Sequence, residues 1–237
     1  MIILTAGHTG AHTGAQCAET HFDEGAENIW LRNRIAEILT NKYNLVVLID
    51  NDHASLQLLT KALNNPKITE TEATRILTPC LRGTSSKSGG GSFLNFCDKR
   101  AQRSSLQLPS VAEILSEAKN PHSSFLIDLH FNAHSNPNAR GTEAIVSDNA
   151  TTIELRFASR LAHATAEALE IPLRSIKSET QTPHRRLAML HLTPQSIILE
   201  ICFCTSPEDV EAYRQHREHL ATTLAHNIAL LLDRKTR

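Results

Sequence analysis

Three residues suited to metal binding or proton transfer stand at the ends of apolar segments or inside one. His8 and His130 each follow directly on a short apolar segment. Glu200 lies within the apolar run 196–203, where an ionised carboxylate is costly unless a cation or hydrogen-bond donors face it. Metal-competent and acid-base residues on three such segments predict a catalytic metal site.

The segments that must position these residues alternate between strand and helix patterns. Strands are predicted at 2–6, 45–49, 125–129, 141–146 and 196–203, and helices at 23–41, 56–63, 70–77, 111–118, 153–169 and 207–232. This alternation is typical of a mostly parallel, twisted sheet with helices on both faces. With no clear linker, the 237 residues predict a single α/β domain.

The predicted sheet would bring the candidate residues to one edge. Ligands of open α/β sheets bind beyond the carboxyl ends of the strands, where His8, His130 and Glu200 are expected. A carboxylate in the first turn of the helix at 23–41 would face the same edge, and Glu24 and Glu27 are both candidates. Two imidazoles, one carboxylate and an open water position are typical of catalytic zinc, with the remaining carboxylate as general base.

Composition argues against nucleic-acid binding and against a membrane-spanning protein. The net charge is −1, which provides no basic field for nucleic acid or for an anionic membrane. No stretch approaches the roughly 18 apolar residues of a membrane span. The five cysteines show no disulfide framework, and we interpret them as small apolar residues of a reduced protein.

Five segments resemble the zinc-dependent N-acetylmuramoyl-L-alanine amidases of the amidase-3 type. They are Ala6-Gly7-His8, Glu24 with Ile29, Leu31 and Arg32, the run 128–133, Gly141-Thr142-Glu143 and the run 198–203. The resemblance is closest to forms from phages and the Bacteroidetes group, and it departs from the family at Thr9-Gly10, where a Gly-Gly is usual. It covers the chain except for about 51–110, so residues 1–237 are expected to form one amidase-3-like catalytic domain with an extended insertion there.

The resemblance implies the function of the site. His8, Glu24 and His130 would bind Zn²⁺, and Glu200 would be the catalytic carboxylate. The substrate would be peptidoglycan, cleaved at the amide between N-acetylmuramic acid and L-alanine of the stem peptide. The first predicted strand leaves no room for a signal peptide, so we expect synthesis in the cytoplasm and action on the wall after holin-type release or another export route.

Alternatives remain for the metal ligands and for the function. His12 is a rival of His8, Glu27 is a rival of Glu24, and His134 is interpreted as a solvated or substrate-side residue. A second hypothesis is a zinc peptidase that acts on other peptides. A third hypothesis is a non-catalytic module that binds the cell wall and has kept the fold. Four retained candidate residues argue against the binding module, because a pure binder needs no open metal site with a base.

Further residues near the predicted site have less certain roles. Asp128 lies two positions before His130 and is expected on the same strand face, either orienting a ligand histidine or in a structural hydrogen bond. Glu143 matches a family position without an assigned role. Residues 184–186 are expected to form a solvated basic loop rather than to bind substrate carboxylates, and Trp30 is expected in the core.

Overall fold

A computed structural model describes residues 2–8, 14–45, 47–50 and 124–235, together with the single residues 65, 69 and 71. Its strands are β1 (Ile2–Ala6), β2 (Gln16–Cys17), β3 (Phe22–Asp23), β4 (Val47–Ile49), β5 (Phe125–Asn132), β6 (Thr142–Val146), β7 (Leu173–Ser178) and β8 (Ser196–Phe203). Its helices are α1 (Glu24–Tyr43), α2 (Thr152–Leu169), α3 (Pro207–Lys235) and two 3₁₀ helices, Glu179–Gln181 and Ala188–His191. Apart from the three single residues, the predicted insertion at 51–110 and the predicted helix at 111–118 lie outside the described residues.

Six strands form one mixed sheet in the order β4-β1-β5-β8-β6-β7. The first four are mutually parallel, whereas β6 is antiparallel to β8 and β7 is parallel to β6. β1 is buried along its whole length, which is typical of strands covered on both faces. The single α/β domain with a mostly parallel sheet is therefore confirmed.

The antiparallel direction of β6 determines where the chain runs near the predicted site. β5 ends at the carboxyl edge of the parallel strands, and β6 begins at that same edge. The connection 133–141 therefore stays at this edge and passes the end of β8, which lies between β5 and β6. Thr142 Oγ1 donates a hydrogen bond to the Glu200 carbonyl oxygen at 2.8 Å, which fixes the start of β6 beside that residue.

Helix α1 begins and ends where its sequence provides caps. The Asp23 side chain accepts a hydrogen bond from the Ala26 N–H, satisfying one of the free amides of the first turn. Asn44 ends the helix in the left-handed conformation, and its N–H bonds the Leu39 carbonyl. Leu31, Ile35 and Leu39 are fully buried, and each such side chain stabilises the fold by roughly 1.5–3 kcal/mol.

The three described α-helices lie on one face of the sheet. α3 packs against both α1 and α2, and alternate residues of β5 and β8 fill the core between helices and sheet. On the opposite face, Leu190 of the second 3₁₀ helix covers Ile145 and Ile198. Because side chains alternate along a strand, Glu200 points to this opposite face together with Ile198.

Three of the described strands and both 3₁₀ helices were not predicted from the sequence. β7 is a half-buried edge strand of mixed apolar, basic and serine residues, and β2 pairs with β3 in a small antiparallel hairpin just before α1. In the part of the chain that the structure describes, no helix is both long and apolar enough to cross a membrane.

Candidate metal and catalytic site

The two histidines meet because their strands are neighbours. β1 and β5 are parallel, and Ala6 is aligned with Leu129. His8, two residues beyond β1, and His130, late in β5, therefore lie at the same edge, with ring centroids 5.1 Å apart. The predicted placement of both residues at this edge is what the structure shows.

Glu24 is the carboxylate that joins them. Its Oε1 lies 3.6 Å from His8 Nε2 and 3.4 Å from His130 Nδ1. Ligand atoms of a tetrahedral zinc ion, bound at about 2.0–2.1 Å, are roughly 3.4 Å apart. One donor atom from each of the three residues falls within 4.8 Å of the other two. This spacing fits a tetrahedral ion with one position left for water or substrate.

Backbone amides fix the Glu24 carboxylate, which is buried at the start of α1. Oε2 accepts from the Ala15 N–H at 2.8 Å, and Oε1 accepts from the Phe131 N–H at 3.0 Å. Burial raises the pKa of Glu24, but hydrogen bonds from His130, Ala15 and Phe131 outweigh it and leave the pKa below its ordinary value. Glu24 is therefore a carboxylate held ready to bind a cation.

Two glycines make room for the three side chains. A Cβ at Gly7 would collide with the His130 ring, and a Cβ at Gly14 would collide with the Glu24 carboxylate and the His8 ring. Gly14 also has a positive φ of 71°, which other residues rarely adopt. The backbone thus approaches these three side chains as closely as glycine alone allows.

Asp128 contacts the second histidine. Its Oδ2 lies 3.0 Å from His130 Nε2, and its Oδ1 accepts from Thr5 Oγ1 at 2.7 Å. A carboxylate on one ring nitrogen holds the proton there and leaves the other nitrogen, Nδ1, free as a ligand. Burial lowers the pKa of His130, but the charge and hydrogen bond of Asp128, the hydrogen bond with Glu24 and the charge of Glu200 raise it well above 6.5. The surroundings of His130 therefore favour a positive charge at this position, either a proton or a cation on Nδ1.

A buried ion pair ties α1 to the edge of the sheet. Arg32 Nη1 lies 2.7 Å from Asp50 Oδ1, which also accepts from the Ala6 N–H at 3.0 Å. The pair fixes the end of β1 at Ala6, two residues before His8. Asp50 was not identified from the sequence. Its one signal in the sequence is its position directly after an apolar strand.

Glu200 stands beside the histidine of β5. In the sheet it is aligned with His130 on one side and with Glu143 on the other. It is the one residue of β8 that is not fully buried, yet its Oε2 is shielded from solvent and has no hydrogen-bond partner. Burial raises its pKa to about 7, with the nearby His130 charge opposing and the Glu24 charge adding to that rise.

Glu27, the alternative third ligand, points elsewhere. Its Oε2 accepts hydrogen bonds from Tyr213 Oη at 3.1 Å and from Arg217 Nη1 at 3.0 Å, both on α3. Arg217 also lies over the ring of Trp30, which is partly buried against the core. The geometry therefore favours Glu24 over Glu27 as the residue that faces the histidines.

The other residues considered from the sequence lie around this site or apart from it. Glu143 is buried, accepts hydrogen bonds from Asn132 and Arg174 at 2.8 and 3.1 Å, and forms an ion pair with Lys177 at 2.7 Å. His134 is exposed on the connection 133–141, and residues 184–186 are exposed between the two 3₁₀ helices. His12 lies outside the described residues.

Comparisons with known proteins agree with this architecture. The family model described as N-acetylmuramoyl-L-alanine amidase matches residues 2–230. A search of curated proteins gave no match. Solved structures with a similar fold include an N-acetylmuramoyl-L-alanine amidase from Clostridium difficile 630, at a TM-score of 0.60 and 15% identity over 98% of this chain and 96% of that one.

Two further structures share the fold. The amidase AmiC2 of Nostoc punctiforme has a TM-score of 0.59 and 14% identity, covering 98% of this chain and 96% of that chain. The catalytic domain of the CD27L endolysin, which targets Clostridia difficile, has a TM-score of 0.54 and 19% identity, covering 96% and 95%. The family match spans nearly the whole sequence, and the chain therefore belongs to the N-acetylmuramoyl-L-alanine amidase family and is an enzyme of that type.

Proposed function

We propose that this amidase is zinc-dependent and hydrolyses the amide between the lactyl group of N-acetylmuramic acid and L-alanine of the stem peptide in peptidoglycan. The observation that carries the proposal is the convergence of His8, Glu24 and His130 beside the unpartnered Oε2 of Glu200. The family match supports the reaction class, and the donor geometry supports the metal.

The three converging residues fit zinc by type as well as by spacing. Two imidazole nitrogens and one carboxylate oxygen form a common catalytic ligand set. Asp128 behind His130 supplies the carboxylate–histidine pairing that accompanies many metal sites. When bound there, zinc would polarise the substrate carbonyl and make water more acidic. His8, Glu24 and His130 would hold the ion.

Glu200 would move the proton. Its pKa of about 7 lies where a group both accepts and donates a proton near neutral pH. We propose that Glu200 takes the proton of the attacking water and then delivers it to the departing L-alanine nitrogen. Glu143 would remain paired with Arg174 and Lys177, holding the start of β6 in place beside Glu200.

The test of the reaction is digestion of purified cell walls by zinc-loaded wild type and by Glu200→Gln, with mass analysis of the fragments. We expect new L-alanine amino termini from the wild type and a rate lower by on the order of 10²–10⁴ for the variant. Undiminished cleavage by the variant would refute the role of Glu200. Cuts at another bond would refute the substrate assignment and favour a peptidase.

The test of the metal site compares two glutamates of the same helical turn. Glu24→Gln removes a proposed ligand, whereas Glu27→Gln only weakens contacts with Tyr213 and Arg217. After equilibration with zinc and removal of the excess, metal analysis should find about one ion per chain in wild type and Glu27→Gln and a loss in Glu24→Gln. Equal zinc in both variants would refute the ligand set.

We also propose that the enzyme acts at the cell wall, after holin-type release or another export route. The sequence resemblance to phage forms and the shared fold with an endolysin catalytic domain support this. Lysis timing in cells that express the chain with and without a holin tests it. Lysis that does not depend on the holin or on any export machinery would refute this route.

A further inference from the structure

Two cysteines that are distant in sequence meet next to the candidate site. Cys17 is on β2 of the small hairpin, and Cys204 follows directly on β8. Their Sγ atoms are 2.7 Å apart, although both thiols are free. A disulfide bond has an S–S distance of about 2.05 Å, so a side-chain movement of well under 1 Å would close it.

The contact belongs to a larger junction between the hairpin and the sheet. Thr20 Oγ1 donates to the Cys204 carbonyl oxygen at 2.7 Å, and the Cys204 N–H donates to the Asn132 carbonyl oxygen at 2.8 Å. The same hairpin region supplies the Ala15 N–H that holds Glu24. Cys17 and Cys204 therefore stand where a covalent link would fix the segment that positions a candidate ligand.

We propose that Cys17 and Cys204 form a disulfide bond when the protein meets small-molecule disulfides of an oxidising environment. Cys17 is partly exposed and reacts first, because Cys204 is buried. The Cys17 thiolate attacks one sulfur of the external disulfide and releases one thiol. Cys204 then gives up its proton, its sulfur attacks Cys17 Sγ, and the second external thiol leaves. The protein loses two hydrogens while one external disulfide becomes two thiols.

Burial and the neighbouring Cys17 raise the pKa of the Cys204 thiol. The second step is therefore slow near neutral pH and faster in alkaline solution, where more of the Cys204 thiol is ionised. The finished disulfide would connect residues 187 positions apart in sequence, and a link closing so long a loop strongly restricts the unfolded chain.

The experiment treats the purified full chain with oxidised glutathione and maps the cysteines by mass spectrometry without reduction. We expect a cross-linked peptide pair containing Cys17 and Cys204, absent after reduction. Cys202→Ala is the matched control, because this buried neighbour on β8 should leave the link intact. A wild-type map in which Cys17 and Cys204 stay free, or pair with other cysteines, would overturn the proposal.

Thermal unfolding gives a second readout that needs no enzymatic activity. Oxidation should raise the Tm of wild type by on the order of 5–15 °C, reversibly, and leave the Tm of Cys17→Ser unchanged. An equal rise in Cys17→Ser would overturn the proposal.

Zinc release to a chelator tests the consequence for the site. It should slow severalfold on oxidation, a consequence that rests on the proposed metal site. If the disulfide forms and raises the Tm while zinc is not bound at all, the metal proposal fails and the cysteine pair stands. Release that stays equally fast in oxidised, zinc-bound protein would overturn the proposed effect on the site.

Discussion

Glu200→Gln should stabilise the metal-free protein at alkaline pH while it removes activity. In the folded protein the pKa of Glu200 is about 7, against an ordinary value of 4.5. The folded state thus holds this proton more tightly than the unfolded chain does. Below pH 4.5 the residue is neutral in both states and costs little. As the pH rises from 4.5 through 7, the folded protein must bury an ionised carboxylate and loses stability.

The size of the effect follows from this difference in pKa. A difference of about 2.5 corresponds to about 3.4 kcal/mol, at about 1.36 kcal/mol for each pKa unit. Solvent reaches part of the Glu200 side chain, so screening reduces this figure, and we expect on the order of 1–3 kcal/mol. Glutamine carries no charge and avoids this cost at every pH.

The assay is urea unfolding of wild type and Glu200→Gln in the presence of a chelator, at pH 5 and at pH 8.5. The difference in free energy of unfolding should move in favour of the variant between the two pH values. Other titrating groups largely cancel in this comparison, although the loss of the Glu200 charge also lowers the pKa of His130 somewhat. A difference that is equal at both pH values would show that the ionised Glu200 does not destabilise the folded protein.

Glu143→Gln is the matched control, because Glu143 is the sheet neighbour of Glu200. It is buried and paired with the partly exposed Arg174 and Lys177, so the same substitution removes the charge that both cations bind. We expect destabilisation of roughly 1–3 kcal/mol at both pH values. Stabilisation of this variant at pH 8.5 would show that the pH effect is not specific to Glu200.

Three further changes probe the supports of the site. Gly14→Ala should abolish zinc binding with the fold retained, because the added Cβ would occupy the space of Glu24 and His8. Circular dichroism tests the fold and metal analysis tests the zinc content, and full zinc content would contradict this prediction. Asp128→Asn should weaken zinc affinity by about 10–100-fold, which competition with a chelator measures. Unchanged affinity would mean that Asp128 has only a structural role. Asp23→Ala should lower the free energy of unfolding by about 1 kcal/mol through the lost cap of α1, measured by urea unfolding, and no change would show that the cap is energetically neutral.

Much of the sheet was predictable because its central strands are continuous apolar runs. The limits of β1 and β8 match the prediction, since burial on both faces leaves few polar residues inside them, namely Thr5 in β1 and Ser196 and Glu200 in β8. β7 was missed because an edge strand exposes one side, and its Arg174 and Lys177 weaken the apolar pattern. α3 runs three residues beyond its predicted end at 232, because no proline or glycine follows to stop it.

The candidate site was predictable as a set of residues but not in its supporting contacts. The strand-end positions of His8 and His130 follow from parallel pairing, which a sequence pattern captures. The choice between Glu24 and Glu27 depends on where α3 passes, because Tyr213 and Arg217 bind Glu27. The meeting of Cys17 with Cys204 likewise depends on contacts between segments 187 positions apart, which no local pattern records.

The reversal of the sheet at β6 has a consequence for how such an enzyme can change its substrate preference. Because β6 starts at the same edge where β5 ends, residues 133–141 cross beside Glu200 without leaving that edge. Most of this connection is exposed, and none of the proposed zinc ligands belongs to it. Substitutions or insertions there would reshape the surface beside Glu200 while Glu200 and the proposed zinc ligands keep their places. The fold thus separates a surface that can diversify from a proposed site that must stay fixed, and grafting this short connection from another amidase would test whether it sets wall selectivity.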